Sequence, residues 1–316
     1  MQPDDKLSQF LLIEHTPSKD RHEDSYCFDF SRRDMHLLAV FDGCGGLGAR
    51  HYPALADRTG AFIAAQTCAR IVGNRFDRLS PEDLSDTAQF AQSLCAKITA
   101  DLTRLEENFA DKNKLLGSMV RTMPCTASVA LVHPGVLPES LSVTALNAGD
   151  SRVYVLTAEG GLMQLTRDDL RGEPDALMNL YVSAPLSNVI NIDEPFSLRV
   201  RSVDYTIPFA VLTASDGVFS YVRTPMDFEN LLLRSLTDAA SFEEFEAAFR
   251  EGVSAIAGDD ATAVMAFYGW KHFSDLQKSF AKRSRAVSEI CARLDEGPSD
   301  DAIEDAWLKY KPGAYV

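Results

Sequence analysis

The chain has 316 residues, 46% hydrophobic and 24% charged, with a formal net charge of −15 from 31 Lys and Arg against 46 Asp and Glu. That length accommodates one large layered domain plus an appendage, and the composition is that of an ordinary globular protein. With no surplus of Lys and Arg to displace counterions, nucleic acid is excluded as a natural partner, and no apolar run approaches the roughly 20 residues of a membrane helix.

In chain order, residues 8–14 and 25–30 read as short strands around the turn-like Pro17-Ser18-Lys19-Asp20. Met35 to Phe41 is an apolar strand that stops at Asp42. Residues 54–76 carry Leu55, Phe62, Ile63 and Ile71 at helical spacing. Ser80-Pro81-Glu82-Asp83 is a helix start, and the second helix runs to about Ala110. Strands Thr126–Val132, Leu141–Asn147, Val153–Leu156 and Leu162–Thr166 form a meander with glycine turns. Residues 167–195 are polar and irregular, a surface flap. Strands are expected at Phe196–Val203 and Phe209–Ala214, helix over about 226–255, and a last strand over Ala261–Tyr268. Phe273, Leu276, Phe280, Val287, Ile290 and Leu294 then mark an amphipathic helix, and Gly297-Pro298-Ser299 leads into a short terminal one. This order argues against a βαβ fold and for two packed sheets with helices outside. It divides into a domain over 1–270 and a helical extension over 271–316, which either completes the core or docks a partner.

Six cysteines occur without a C-x-x-C pair, so neither a zinc ribbon nor a redox motif is indicated. Free thiols suit a reducing compartment, and Met1 to Lys6 lacks a basic region followed by an apolar run. The expectation is a cytoplasmic protein.

Five acidic motifs are spread along the chain: His22-Glu23-Asp24-Ser25, Phe41 to Gly46, Asn147 to Arg152, Ala214 to Gly217 and Gly258 to Thr262. Each alone is unspecific, since Asp-Gly is a common turn. Asp42 and Asp216, however, both end very apolar runs. Carboxylates gathered at sheet ends repel one another unless cations are present, and they are hard oxygen ligands for divalent ions. Gly43-Cys44-Gly45-Gly46-Leu47-Gly48 also satisfies G-x-G-x-x-G. A dinucleotide reading fails because Asp42 repels a pyrophosphate and no strand ending in an acid follows at the required distance. Neither a G-x-S-x-G nor a phosphate-binding G-x-x-x-x-G-K-[ST] motif is present. His22 reads as a structural or surface histidine.

In this order the motifs resemble those of the metal-dependent serine/threonine phosphatases of the PP2C type, over about residues 8–269. The correspondence runs through Glu23-Asp24, Asp42 to Gly46, Pro124 to Ala127, Asn147 to Arg152, Ser215 to Gly217 and Asp259-Asp260. The resemblance implies an α+β fold, a four-layer α/β/β/α sandwich of two antiparallel sheets flanked by helices. It implies two Mn2+ or Mg2+ ions and a third, weaker one. Asp42 matches the carboxylate shared by both ions, Gly43 a backbone carbonyl ligand, and Asp216 and Asp259 further ligands. Glu23 and Asp24 match an acidic pair that holds metal-bound waters, and Asp150 the acid of the third ion. The implied reaction is hydrolysis of phosphoserine and phosphothreonine in proteins by a metal-activated water, with Asp42 and Asp216 central. The implied setting is a monomer opposing a Ser/Thr kinase. The alternative implied by the departures is a catalytically weak module of the same fold that binds phosphoproteins or a signalling partner. Lys19 stands where the family has a phosphate-binding arginine, which Arg21 is placed to replace. Cys44 stands for a histidine of animal members, Pro124 for a glycine, and the flap lacks the usual L-T-x-x-L-G pattern.

Overall fold

The computed structural model describes residues 1–17, 22–110, 121–172, 175–181, 184–295, 297 and 299–315. One sheet has the order β1-β12-β11-β8-β9. Its strands are β1 (Leu7–His15), β8 (Arg152–Thr157), β9 (Gly161–Gln164), β11 (Phe209–Ala214) and β12 (Ala261–Tyr268). The other has the order β10-β7-β6-β3-β2. It contains β2 (Ser25–Asp29), β3 (His36–Phe41), β6 (Ala127–Pro134), β7 (Ser140–Ala148) and β10 (Arg199–Thr206). All pairings in both sheets are antiparallel.

The period of two along β3 explains the layering. Leu38 and Val40 point between the sheets, against Val153, Val211 and Val264. Leu37, Ala39 and Phe41 point the other way, into a cluster with α1 (Gly60–Phe76) and α2 (Thr87–Phe109). Both faces are covered, so the strand is apolar at nearly every position instead of alternating. Each such side chain contributes about 1.5–3 kcal/mol by leaving water.

The outer face of the first sheet packs on α4 (Pro225–Asp238), α5 (Phe242–Ile256), α6 (Phe273–Asp295) and α7 (Asp300–Tyr310). The result is a four-layer α/β/β/α sandwich. Phe280, Val287 and Leu294 of α6 and Trp307 of α7 are buried in this cluster. Glu229 of α4, fully buried, ties the terminal helices down. It accepts from Arg283 Nε and Nη2, both at 2.8 Å, from Leu162 N at 3.1 Å, and from the Tyr310 hydroxyl. Among the described residues, no helix is long and apolar enough to cross a membrane.

Two helical expectations differ in detail. The helix expected from residue 54 begins at Gly60, because Pro53 opens a single 3-10 turn that ends at left-handed Ala56. Residues 51–59 instead form a short ribbon of β4 (His51–Tyr52) and β5 (Arg58–Thr59). The stretch 226–255 is two helices, since Ser241 caps a new start through Glu244 N. The flap holds a one-turn α3 (Met178–Tyr181).

Candidate metal centre

Strand register brings the acidic motifs to one end of the sandwich. In the second sheet Phe41 pairs with Ser25, and Ala127 with Ala148, so Asp24, Asp42 and the Gly149-Asp150 turn share an edge. Thr126 N donates to Asp42 O at 2.8 Å and extends that edge. In the first sheet Ala214 pairs with both Ala263 and Arg152, which places Asp216 beside Asp259-Asp260 and again near Asp150. The two sheets are joined here by Ser215 Oγ, which donates to Asp24 Oδ2 at 2.7 Å and accepts from Thr262 N at 2.9 Å.

The electrostatics report how close the acids are. Asp42 is pushed well above the usual carboxylate range, by burial first and then by Asp24, Asp216, Asp150 and Asp259. Asp150 is raised to about 7, by burial, Asp216 and Asp168. Asp216 is raised to about 6 by burial, Asp24 and Asp259, against a lowering contact with Asp42. Asp24 is raised to about 6, by burial foremost and also by Asp260; Ser215 and Thr262 pull the other way. These are like charges brought together out of water, which a protein tolerates when a cation joins them.

Among the described residues, no three His, Cys, Asp or Glu side chains already close into a metal cage. The site nevertheless fits divalent cations on three grounds. The donors are hard oxygens of the kind Mg2+ and Mn2+ prefer. Asp24 Oδ1 is buried with no hydrogen-bond partner. Backbone approaches the site closely: a Cβ on Gly43 meets Glu23 O at 2.7 Å, and one on Gly217 meets Asp260 O at 2.0 Å. Only glycine fits either position.

The remaining candidates take distinct places. Glu23 adjoins Gly45, receives the Thr59 hydroxyl on Oε1, and is fixed through its N–H to Asp260 Oδ2 at 2.6 Å. Asp259 is exposed and accepts from Asp260 N at 2.8 Å, yet still raises Asp42 and Asp216. Asp260, in contrast, is buried; it serves Glu23 and lies 3.8 Å from His22. His22 is structural, bonded to Thr16 Oγ1 at 2.7 Å. Cys44 faces the acids, and burial together with Asp42, Asp150, Asp216 and Glu23 holds its thiol neutral, far from a nucleophilic thiolate. Lys19 and Arg21 lie outside the described residues.

Sequence reasoning gave no role to several residues that shape this end. Arg152 donates to both Asp168 oxygens, at 3.0 and 2.6 Å, and lies 4.2 Å over the Phe219 ring. Asp169 receives Gly149 N at 3.2 Å, so the start of the flap is stitched to the Asp150 turn. Tyr221 is exposed, and partial burial first, then Asp216, Asp259 and Asp42, raise its hydroxyl, which places it on the rim. The arginine lay inside a quoted motif; the tyrosine carried no sequence signal.

A family model described as protein phosphatase 2C matches residues 14–257. The chain belongs to the protein phosphatase 2C family. Solved structures agree in fold with this phosphatase 2C chain. Serine/threonine phosphatase Stp1 from Staphylococcus aureus is 18% identical, with a TM-score of 0.61 over 83% of this chain and 95% of that one. The Mycobacterium tuberculosis serine/threonine phosphatase PstP/Ppp is 16% identical, with a TM-score of 0.57 over 84% of this chain and 100% of that one. A PstP catalytic domain in complex with two manganese ions is 17% identical, with a TM-score of 0.54 over 84% and 99%. At these identities the likeness is one of fold. Among curated proteins, none matches the chain in sequence.

Proposed function

We propose that this phosphatase 2C chain hydrolyses phosphoserine and phosphothreonine in proteins, with two Mn2+ or Mg2+ ions held by Asp42, Gly43, Asp216 and Asp259. Glu23 and Asp24 orient water at these ions, and Asp150 serves a third, weaker one. When bound, the ions lower the pKa of water and offset the charge of the phosphoryl oxygens.

The chain's own part is positioning. Asp42 and Asp216, fixed at the ends of β3 and β11, hold the centre at the tip of the sandwich. Ser215 keeps one oxygen of Asp24 occupied and leaves the other free to accept a proton donor. Neutral Cys44 is no nucleophile, in keeping with direct attack by water and no phospho-enzyme. We read Lys19 and Arg21 as the phosphate-binding cations. We also read residues 271–316 as an extension of a phosphatase domain over 1–270, since the family match ends at 257. The partners that suit this reading are phosphoproteins made by a Ser/Thr kinase.

The observation that carries the proposal is that acids from four other segments, Asp24, Asp216, Asp150 and Asp259, act on one carboxyl, Asp42. The test is Mn2+-dependent phosphate release from p-nitrophenyl phosphate and a phosphothreonine peptide. Asp216→Ala is expected to lower it by about 100-fold or more. A folded wild-type protein without turnover in either Mn2+ or Mg2+ overturns the enzymatic reading and leaves a phosphoprotein-binding module.

A further inference from the structure

Between Gly46 and α1 the chain makes a detour that contributes no acid to the cluster. The β4–β5 ribbon is closed by Ala56 and Asp57, both left-handed at φ 57° and 56°. Non-glycine residues in this conformation are strained and gather at functional sites. The ribbon is fastened at both ends. Tyr52 OH donates to Glu106 Oε2 at 2.5 Å and Arg50 Nη1 to Glu106 Oε1 at 2.6 Å. At the other end the Thr59 hydroxyl donates to Glu23 while its oxygen caps α1 through Phe62 N at 3.1 Å.

Ribbon and Glu23 together wall a cleft of ≈ 470 Å³ that reaches Gly45 of the Asp42 loop. Most ionisable groups lining it are already engaged. His22 is held by Thr16 and faces Asp260. His51 bonds Asp57 O at 2.7 Å and lies 3.6 Å from the Asp57 carboxylate. Arg58 differs. Its guanidinium lies 4.6 Å over the Phe62 ring, is exposed, and forms no ion pair among the described residues.

We propose that this cleft seats the substrate residues next to the phosphorylated side chain, and that Arg58 takes an acidic side chain there. The proposal rests on the phosphatase reading above. A peptide whose phosphate reaches Asp42 and Asp216 passes Glu23, and the cleft opens directly beside Glu23. A guanidinium stacked on a ring is pre-oriented, so it loses little freedom on gripping a carboxylate through two parallel hydrogen bonds. The carboxylates of Glu23 and Asp57 line the cleft as well, so the preference rests on the Arg58 guanidinium itself, within whose reach Asp or Glu is favoured over Lys or Arg.

The test uses fluorescein-labelled peptides that carry a non-hydrolysable difluoromethylene phosphonate in place of phosphoserine, flanked by Glu, Gln or Lys. Binding to the full chain is read by anisotropy with Mn2+ present. Wild type is expected to favour the Glu peptide over the Gln peptide by about fivefold. Arg58→Gln is expected to remove that ratio, and Arg58→Glu to turn it toward the Lys peptide. Thermal melts establish that both variants fold; the Arg58 side chain is exposed and its guanidinium lies over the Phe62 ring. A wild-type ratio near one, or a ratio that persists in Arg58→Glu, overturns the proposal. Phosphate release from the matching phosphoserine peptides is measured alongside. Binding that follows Arg58 with no release from any peptide sinks the phosphatase reading and not the subsite. Release with no charge preference does the reverse.

Discussion

Asp150→Asn is expected to make the metal-free protein more stable while impairing the site. Asp150 moves from its ordinary 3.8 to about 7 in the folded chain, chiefly through burial and then through Asp216 and Asp168. The folded state therefore binds this proton more tightly than the unfolded state. The resulting penalty is absent below pH 4, grows as pH rises toward 7, and is fully present above that. At pH 8 it amounts to roughly 4 kcal/mol, and at pH 5 to roughly 2 kcal/mol. For 316 residues the unfolding entropy is about 0.66 kcal/mol/K, so an amide in place of the carboxylate raises Tm at pH 8 by about 6 °C. At pH 5 the gain is about half as large. The assay is thermal unfolding in EDTA at the two pH values, repeated with excess Mn2+. Cations relieve the same repulsion, so Mn2+ is expected to stabilise wild type more than the variant and to shrink the difference. A Tm in EDTA at pH 8 that is unchanged or lower in Asp150→Asn refutes the argument that these acids are held together against their repulsion.

Wild-type protein in EDTA is expected to melt at a lower temperature at pH 8 than at pH 5. Asp24, Asp150 and Asp216 are all raised, so all three bind protons on folding across that window; calorimetry with a flat or opposite trend contradicts this. Glu229→Ala leaves Arg283, Leu162 N and Tyr310 without their shared acceptor and is expected to cost about 3–5 kcal/mol. Chemical denaturation reads it, and a loss below about 1 kcal/mol means the terminal helices are dispensable to the core. Phe280→Ala, at a fully buried position, is expected to cost about 3–5 kcal/mol for the same reason of missing contacts, with urea midpoints as the measure. Ser215→Ala removes the donor to buried Asp24 and is expected to weaken Mn2+ binding severalfold, as isothermal titration detects.

How much was legible from the residues varies by element. β3 could be read because a strand covered on both faces is apolar at nearly every position, and the run stops where the carboxylate begins. The glycines of the Asp42 and Asp216 motifs were legible because no larger residue fits against Glu23 O or Asp260 O. Those local rules, with the order of the motifs, gave the layered α+β class and the acids of the candidate site. They did not give the ribbon at 51–59, where apolar residues at helical spacing lose to Pro53 and two left-handed residues. Nor did local rules show which of Asp259 and Asp260 is buried: two adjacent acids look alike in sequence, and although the resemblance singles out Asp259 as a ligand, it is Asp260 that is buried against Glu23 while Asp259 is exposed. The pairing of Arg152 with Asp168, the hold of Glu229 on three elements, and the lack of an ion pair at Arg58 among the described residues belong to the same class. Periodicity and glycine are properties of a residue and its chain neighbours, so sequence alone determines them. Burial, repulsion and partnership depend on residues distant along the chain, 16 positions from Arg152 to Asp168 and 237 from Glu23 to Asp260, so only the packing of the two sheets decides which acid is buried and which cations are paired.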